Sequence, residues 1–334
     1  MANFYWDQSF MASIKGYRDY YIYFLYFMLI FFNVSAVRTE RIIVLLFLAS
    51  LVIFAIDYVT FPDPMFAWRS EERRSGISIF FYGQGFTFLG AFYFLNKFFN
   101  HRNLVHLAFF GVSFVCLFVL TQSRMNLLAL GSGFFLLLLA SNFPKKYIIT
   151  VFILIAAGIF YTTATIFQGI KDDSKDQAQF YKEDIRVLAH NYFITDFQGG
   201  TPTMLLGNGF PAVGSDLAAE SARGNAMGFW TSDVGLTGIF SYFGLLGVVI
   251  WLLFFYKVFT KRHIQNAMYL KAYFLTLLTT SFAAYSIFEP GYMPATVLAL
   301  YLLRCQSTEL NEADEAAYEE EAFEEEQGQL SATR

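Results

Sequence analysis

Charge is what this chain has least of. Asp, Glu, Lys and Arg make up only 15% of its 334 residues, where a soluble domain carries about 25%. That shortfall excludes a water-facing globular enzyme and a disordered chain of this length. Cysteine is as sparse. Cys116 lies in an apolar stretch and Cys305 just after the last one, which excludes a disulfide framework and a thiolate metal centre. There is no His-x-x-x-His, no Asp-x-Asp and no Walker loop, so neither a metal nor a cofactor is expected. Trp6 and Asp7 stand where a cleavable signal would have its basic region, so no such signal is expected.

What is present is apolar. Hydrophobic residues make up 56% of the chain and aromatics 20%, with 42 Phe, and the mean hydropathy is +0.44. A polytopic membrane protein fits this composition. The net charge of -4 conceals an asymmetry. Ten acidic residues and one basic residue follow Arg304, which leaves 22 basic against 17 acidic residues before it. The chain therefore divides into a membrane domain over 1–304 and a solvated acidic tail over 305–334.

A bilayer core of roughly 30 Å needs about 20 mostly apolar residues per helix. On that measure nine spans are expected, so the fold class is an all-α membrane bundle. They run near Tyr20 to Val34, Ile42 to Val59, Ile77 to Asn96, Leu104 to Leu120 and Met125 to Ala140. The rest run near Tyr147 to Phe167, Val234 to Tyr256, Met268 to Ala284 and Ala295 to Leu303. Arg38 and Arg41, Lys97 and Arg102, Lys145 and Lys146, and Lys257, Lys261 and Arg262 fall on alternate loops. That side is expected to be cytoplasmic and the tail joins it. The N-terminus, the Trp68 to Arg74 loop, the Thr121 to Arg124 turn and a large loop over 168–232 then lie outside. Lys15, Arg18, Arg69, Arg73, Arg74 and Arg124 work against this bias, and basic residues kept on the translocated side point to a task for them.

The large loop opens with the charged run Lys171 to Asp176 and turns amphipathic over Ile185, Leu188, Ala189, Tyr192 and Phe193. That pattern predicts a short helix on the membrane surface, with Arg186 and His190 four apart on one face. Glycines at 199, 200, 207, 209 and 214 mark turns before the loop re-enters at Trp230 to Asp233. Plainer roles stand beside chemical ones. Arg186 is placed to snorkel to headgroups, His190 to sit on the surface or at a cap, and Asp233 to cap the helix that follows it. Asp57 is the main acid near a span. Gly83-Gln84-Gly85 reads as helix packing rather than a phosphate cradle. Arg124 has apolar runs on both sides and no acidic neighbour, and an ionisable group in that setting is a functional candidate by default. Arginines bind phosphate oxygens bidentately at any relevant pH, and a nearby carboxylate or imidazole takes a proton from an attacking hydroxyl. The inventory fits transfer from a diphosphate donor.

Four pieces in order carry a resemblance. They are Thr121-Gln122-Ser123-Arg124, Asp184-Ile185-Arg186 with Ala189, Leu206-Gly207-Asn208-Gly209, and Ser232-Asp233-Val234-Gly235-Leu236 through Phe243-Gly244-Leu245-Leu246-Gly247. Over about residues 60 to 260 the chain resembles the bacterial O-antigen polymerase and O-antigen ligase superfamily. The resemblance implies a helical fold of the GT-C type and an inverting, metal-independent glycosyltransferase in the inner membrane. The implied substrate is an oligosaccharide carried on undecaprenyl diphosphate. Arg124 and Arg186 match positions that would grip the donor diphosphate, and Arg69, Arg73 and Arg74 resemble the basic residue before the glycine-containing span.

Ser232-Asp233 stands where ligases typically carry a His-Asn pair, which favours polymerase over ligase. Asp233 is the first candidate for the base and His190 the second. The superfamily often has about twelve spans with both termini inside, so a shortened or late-starting form is expected, with a partner supplying any missing wall. The expected partners are the carrier-linked oligosaccharide, membrane lipids, and a chain-length regulator or flippase, with no nucleic acid. Alternatives from other classes are a ligase acting on lipid A core and a non-catalytic carrier or scaffold.

Overall fold

The structure is a computed structural model that describes residues 1–63, 65–66, 69–73, 76–80, 83–120, 124–163, 184–261 and 265–308. Its architecture is helical. In chain order the helices are α1 (Ala2–Tyr5), α2 (Phe10–Gly16), α3 (Phe24–Phe31), α4 (Ala36–Val59), α5 (Gln84–His101), α6 (Leu104–Phe114) and α7 (Arg124–Ala140). They continue with α8 (Lys146–Thr163), α9 (Ile185–Ile194), α10 (Thr201–Leu206), α11 (Asp216–Ala226), α12 (Gly235–Thr260), α13 (Met268–Thr280) and α14 over 293–308. Polar side chains set several starts. Ser35 accepts from Arg38 N at 3.4 Å, Asn103 from Val105 N at 2.9 Å and Asp184 from Arg186 N at 2.8 Å, each satisfying a donor that the first turn leaves free.

Helices overlie each of the expected spans. Two of them, Ala36–Val59 and Gly235–Thr260, are long and apolar enough to cross a membrane, and Leu104–Leu117 and Met125–Ala140 are shorter apolar helices. Their outer faces are apolar too. Phe24, Phe27 and Phe31 on α3, Val52 and Val59 on α4, and Leu252, Leu253 and Tyr256 on α12 are all exposed. A water-soluble chain rarely shows contiguous apolar faces of this size; lipid would cover them.

The expected all-α class describes the architecture, with one small addition: β1 (Arg69–Arg73) and β2 (Gly76–Phe80) pair antiparallel, from Arg69 opposite Phe80 to Arg73 opposite Gly76. Gly76-Ile77-Ser78-Ile79-Phe80 alternates apolar and small or polar residues with two β-branched side chains, the strand period. The third expected helix therefore starts at Gln84 rather than Ile77.

α5 is the axis of the bundle. Phe88, Leu89, Phe92 and Leu95 are buried in one core with Tyr269, Tyr273 and Phe274 of α13, while the Phe94 ring lies 5.3 Å from that of Phe47 on α4. Small residues let the helices close. A Cβ on Gly90 would lie 2.2 Å from the Phe47 ring, and one on Gly133 2.3 Å from the Phe92 ring. This is how helices associate where solvent gives them no hydrophobic drive.

Connections sort to two ends. At one end Tyr269 donates to Glu40 Oε1 at 3.0 Å, Asn96 Nδ2 to the carbonyl of Asn266 at 2.6 Å and Tyr301 to the carbonyl of Val34. At the other, Gly85 N donates to the carbonyl of Gly291 at 3.0 Å, Tyr292 to Gln84 Oε1 at 3.2 Å and Tyr23 to the carbonyl of Ile287. The expected reading of Gly83-Gln84-Gly85 holds in this respect. A Cβ at Gly85 would sit 2.8 Å from backbone atoms of Gly291 and Tyr292.

A second, smaller core caps this other end. Ala2, Ala189, Tyr192, Phe193, Phe197, Leu217, Val234 and Tyr242 are buried together. The expected amphipathic helix is α9, but Ala189, Tyr192 and Phe193 face this core while Ile185 and Leu188 are exposed. The N-terminal segment seals the cap. Gln8 Nε2 donates to the carbonyl of Phe210 at 2.9 Å, and Gln8 Oε1 accepts from Ala212 N and Ser215 Oγ, both at 2.9 Å. The N-terminus and the large loop thus lie at the same end, as the sequence reading places them. The Lys171 to Asp176 run, Thr121 to Ser123, Arg74 and the tail from 309 lie outside the described residues.

Candidate functional site

Three of the four resemblance-bearing pieces meet at the capped end. α12 is broken at Gly244, whose φ is 66°, a backbone conformation that favours glycine. At the break the carbonyl of Ser241 accepts from Asn208 N at 3.1 Å and from Asn208 Nδ2 at 3.0 Å, and that of Tyr242 accepts from Gly209 N at 2.9 Å. Asn208 is fully buried and its Nδ2 also lies 3.1 Å from the carbonyl of Phe197. Its Oδ1 accepts from Trp6 Nε1 at 2.8 Å. A Cβ on Gly207 would lie 2.1 Å from the Tyr242 carbonyl oxygen, and one on Gly244 2.4 Å from Gly207 N. The Gly-Asn-Gly turn and the glycine-broken helix are therefore one joint, in which backbone touches backbone and an amide closes the polar groups a break leaves behind.

The first segment of α12 begins at Gly235, preceded by a 3-10 turn over Thr231–Asp233. Asp233 is exposed. Its capping role does not hold, because the cap residue of α12 is Val234 and no side chain bonds there. Asp233 Oδ1 lies 3.3 Å from its only side-chain donor among the described residues, Ser232 Oγ. One turn further on, His190 Nδ1 lies 2.7 Å from Thr237 Oγ1. The imidazole thus docks α9 onto α12, and burial lowers its pKa.

Behind this turn lies the connection between α13 and α14. A Cβ on Gly235 would fall 2.3 Å from the Ser281 carbonyl oxygen, and one on Gly238 2.5 Å from the Tyr285 ring. The same connection carries Glu289, half-buried, whose carboxyl makes no hydrogen bond and no ion pair among the described residues. Its pKa is pushed up to about 7, first by burial and then by the charge of Asp233. Beside it the Tyr285 hydroxyl is buried next to those of Thr231 and Tyr242 without a hydrogen bond of its own.

Sequence reasoning missed Glu289 and took Asp57 as the main acid near a span. Asp57 is fully buried at the end of α4, with Oδ1 accepting from Phe66 N at 2.9 Å. The available signal for the other was Glu289-Pro290-Gly291, an acid and a turn set between two apolar runs.

The arginines are placed less closely. Arg186 is exposed on the first turn of α9, on the His190 face, with no acidic partner among the described residues. Arg124 opens α7, and Arg69 and Arg73 lie on β1; their side chains, and all of Arg74, lie outside the described residues. Among the described residues there is no group of three His, Cys, Asp or Glu able to hold a metal. A cavity of about 520 Å³ lies over the joint, lined by Phe4, Phe10, Tyr17, Asn208 and Phe243. Another of about 260 Å³ lies between α9 and α11 beside Tyr192 and Arg223. Asp233, His190 and Arg186 line neither. Compared with known proteins, the chain matches no family model, no curated protein and no solved structure.

Proposed function

We propose that this chain is a polysaccharide polymerase of the O-antigen type, a multi-pass protein of the bacterial inner membrane. The capped end faces the periplasm and the tail faces the cytoplasm. The reaction is inverting and independent of metal. An acceptor sugar hydroxyl attacks the anomeric carbon of a glycan on undecaprenyl diphosphate, and the bond from that carbon to the diphosphate oxygen breaks. Arg124 and Arg186, with Arg69, Arg73 or Arg74, hold the departing diphosphate. A carboxylate, first Asp233, takes the hydroxyl proton, with His190 as second candidate.

The observation that carries this reading is the joint. Leu206-Gly207-Asn208-Gly209 and Phe243-Gly244, 34 residues or more apart in sequence, are fastened together on the helix that Ser232-Asp233 precedes. The resemblance, drawn from sequence alone, thus corresponds to one three-dimensional feature at the end carrying the large loop. The opposite end, where Lys261 donates to Ser307 at 3.4 Å and Arg102 sits 5.9 Å from the Phe143 ring, collects the basic loops of the cytoplasmic side.

The test is chain length in cells deleted for the gene and complemented with variants. Arg124→Ala and Arg186→Ala are each expected to abolish long polymer and leave single repeat units on the carrier, with protein still in the membrane. Wild-type chain lengths in both variants would overturn the proposal. Long polymer retained on the carrier would assign the chain to ligation instead.

A further inference from the structure

The mechanism above leaves the smaller cavity of the cap unused. We propose that this cavity, between α9 and α11, is a binding site for one neutral sugar ring of the glycan, away from the carbon at which the bond is exchanged. The inference rests on the polymerase reading for the kind of ligand and adds the place where the glycan is recognised.

Two helices set the walls. On α9, Leu188, Asn191, Tyr192 and Thr195 recur at helical spacing and turn one stripe toward the cavity. Across it Arg223 stands on the last turn of α11. Tyr192 and Phe229 supply the aromatic lining, their ring centroids 5.5 Å apart at 45°. Tyr192 also fixes the rim. Its hydroxyl donates to Glu220 Oε1 at 2.6 Å, and Glu220 Oε2 lies 3.6 Å from Arg223 Nη1. The guanidinium is thus tethered on one side, while most of the Arg223 side chain stays open to solvent. On the α9 side Asp196 Oδ1 lies 3.1 Å from Thr195 Oγ1. The Asn191 side-chain amide makes no hydrogen bond among the described residues.

These groups select a ligand by their chemistry. The guanidinium only donates, the carboxylate only accepts and the amide does both. Sugar hydroxyls each donate and accept, so neighbouring hydroxyls on one ring satisfy all three. The C–H face of a sugar ring then meets the negative face of an aromatic side chain. An anion is disfavoured, because Asp196 and Glu220 outnumber Arg223 and the guanidinium is already shared with Glu220. A wholly apolar ligand would strip water from the polar groups and give nothing back. Size agrees with a single ring. Sites for drug-sized ligands run from about 300 Å³ upward, and this one holds about 260 Å³, so the remainder of the glycan stays outside. Binding energy gathered at a remote sugar holds the reacting end in place, and the cavity thereby sets which repeat unit is accepted.

The experiment uses the full chain in lipid nanodiscs. The probe is the repeat-unit oligosaccharide freed from carrier and diphosphate by mild acid, with binding followed by titration calorimetry. Wild type is expected to bind it, and excess pyrophosphate is expected not to displace it. Asn191→Ala, Asp196→Ala and Arg223→Ala are each expected to weaken binding about tenfold. Asn191→Ala is the most direct of the three, because its amide holds no other part of the described protein and its loss does not loosen the cap. Val213→Ala, fully exposed at the same end and outside the cavity, is expected to keep wild-type affinity. In cells Asn191→Ala and Asp196→Ala are expected to shorten the polymer, where Arg186→Ala abolishes it.

No binding by wild type, or wild-type affinity in all three cavity variants, would overturn the proposal. Displacement by pyrophosphate would also overturn it, since the site would then take an anion. The titration needs no turnover. It therefore decides the sugar site even if the Arg124 and Arg186 variants make normal polymer and the polymerase reading falls.

Discussion

The bundle and the cap solve the same problem with different materials. In the bundle, the faces turned inward and outward are both apolar: Phe88 and Phe92 are fully buried while Leu252 and Leu253 of α12 are exposed. Hydrophobicity cannot tell inside from outside there, so fit does. Gly90 under Phe47 and Gly133 under Phe92 fix which helix lies where. The cap buries far less. Its small core is held in register by amides, Gln8 on three partners of residues 210–215 and Asn208 on Trp6, Phe197 and Ser241. Near water, directional bonds and a modest apolar core share the task that shape performs alone in lipid.

The largest expected effect breaks the joint between the two regions. Gly244→Val places a β-branched side chain at positive φ with its Cβ against the backbone of residues 205 and 207. The backbone strain alone is about 1–3 kcal/mol and the clash adds to it. Limited proteolysis of detergent-solubilised protein is expected to cut the large loop while the bundle stays intact. Next is Asn208→Ala. It strips partners from the Trp6 indole and the Phe197 carbonyl at about 1–3 kcal/mol each, and the same digest is expected to release the N-terminal segment first. If either variant melts cap and bundle in one step, the two regions are not separate units.

Gly133→Val sharpens the comparison from the other side. It overpacks the bundle at Phe92 for about 1–3 kcal/mol, so the bundle transition in thermal unfolding is expected to fall while cleavage of the cap is unchanged. Smallest is Leu253→Ala on the outer face of α12, expected to stay within about 0.5 kcal/mol. A larger loss would mean that another protein surface, not lipid, covers that face.

How much could be read in the sequence follows the same division. Long apolar runs announce helices whatever they pack against, so helices overlie all the expected spans, and the α9 helix was legible from its period. The hairpin was not, because Ile77 to Phe80 runs directly into the apolar Phe86 to Phe94 and hides its own alternation. The segments carrying the joint were legible as pieces, but their mutual contact is a matter of space. Glu289 was illegible for a physical reason. An acid followed by Pro-Gly reads as an ordinary loop residue, and only the fold brings its charge within reach of Asp233 and Tyr292. The contacts of Gln8 and Trp6 were illegible likewise, since their partners lie about 200 residues away.

The break in α12 has a mechanical consequence. Residues 235–243 are stitched to the loop, while beyond Gly244 Trp251, Phe255 and Val258 are buried in the bundle and Leu252, Leu253 and Tyr256 are exposed. A rod divided in this way does not carry a tilt from one segment to the other. A pull on the turn over 206–209 therefore swings the short first segment, and Asp233 with it, while the longer second segment keeps its seat beside α13.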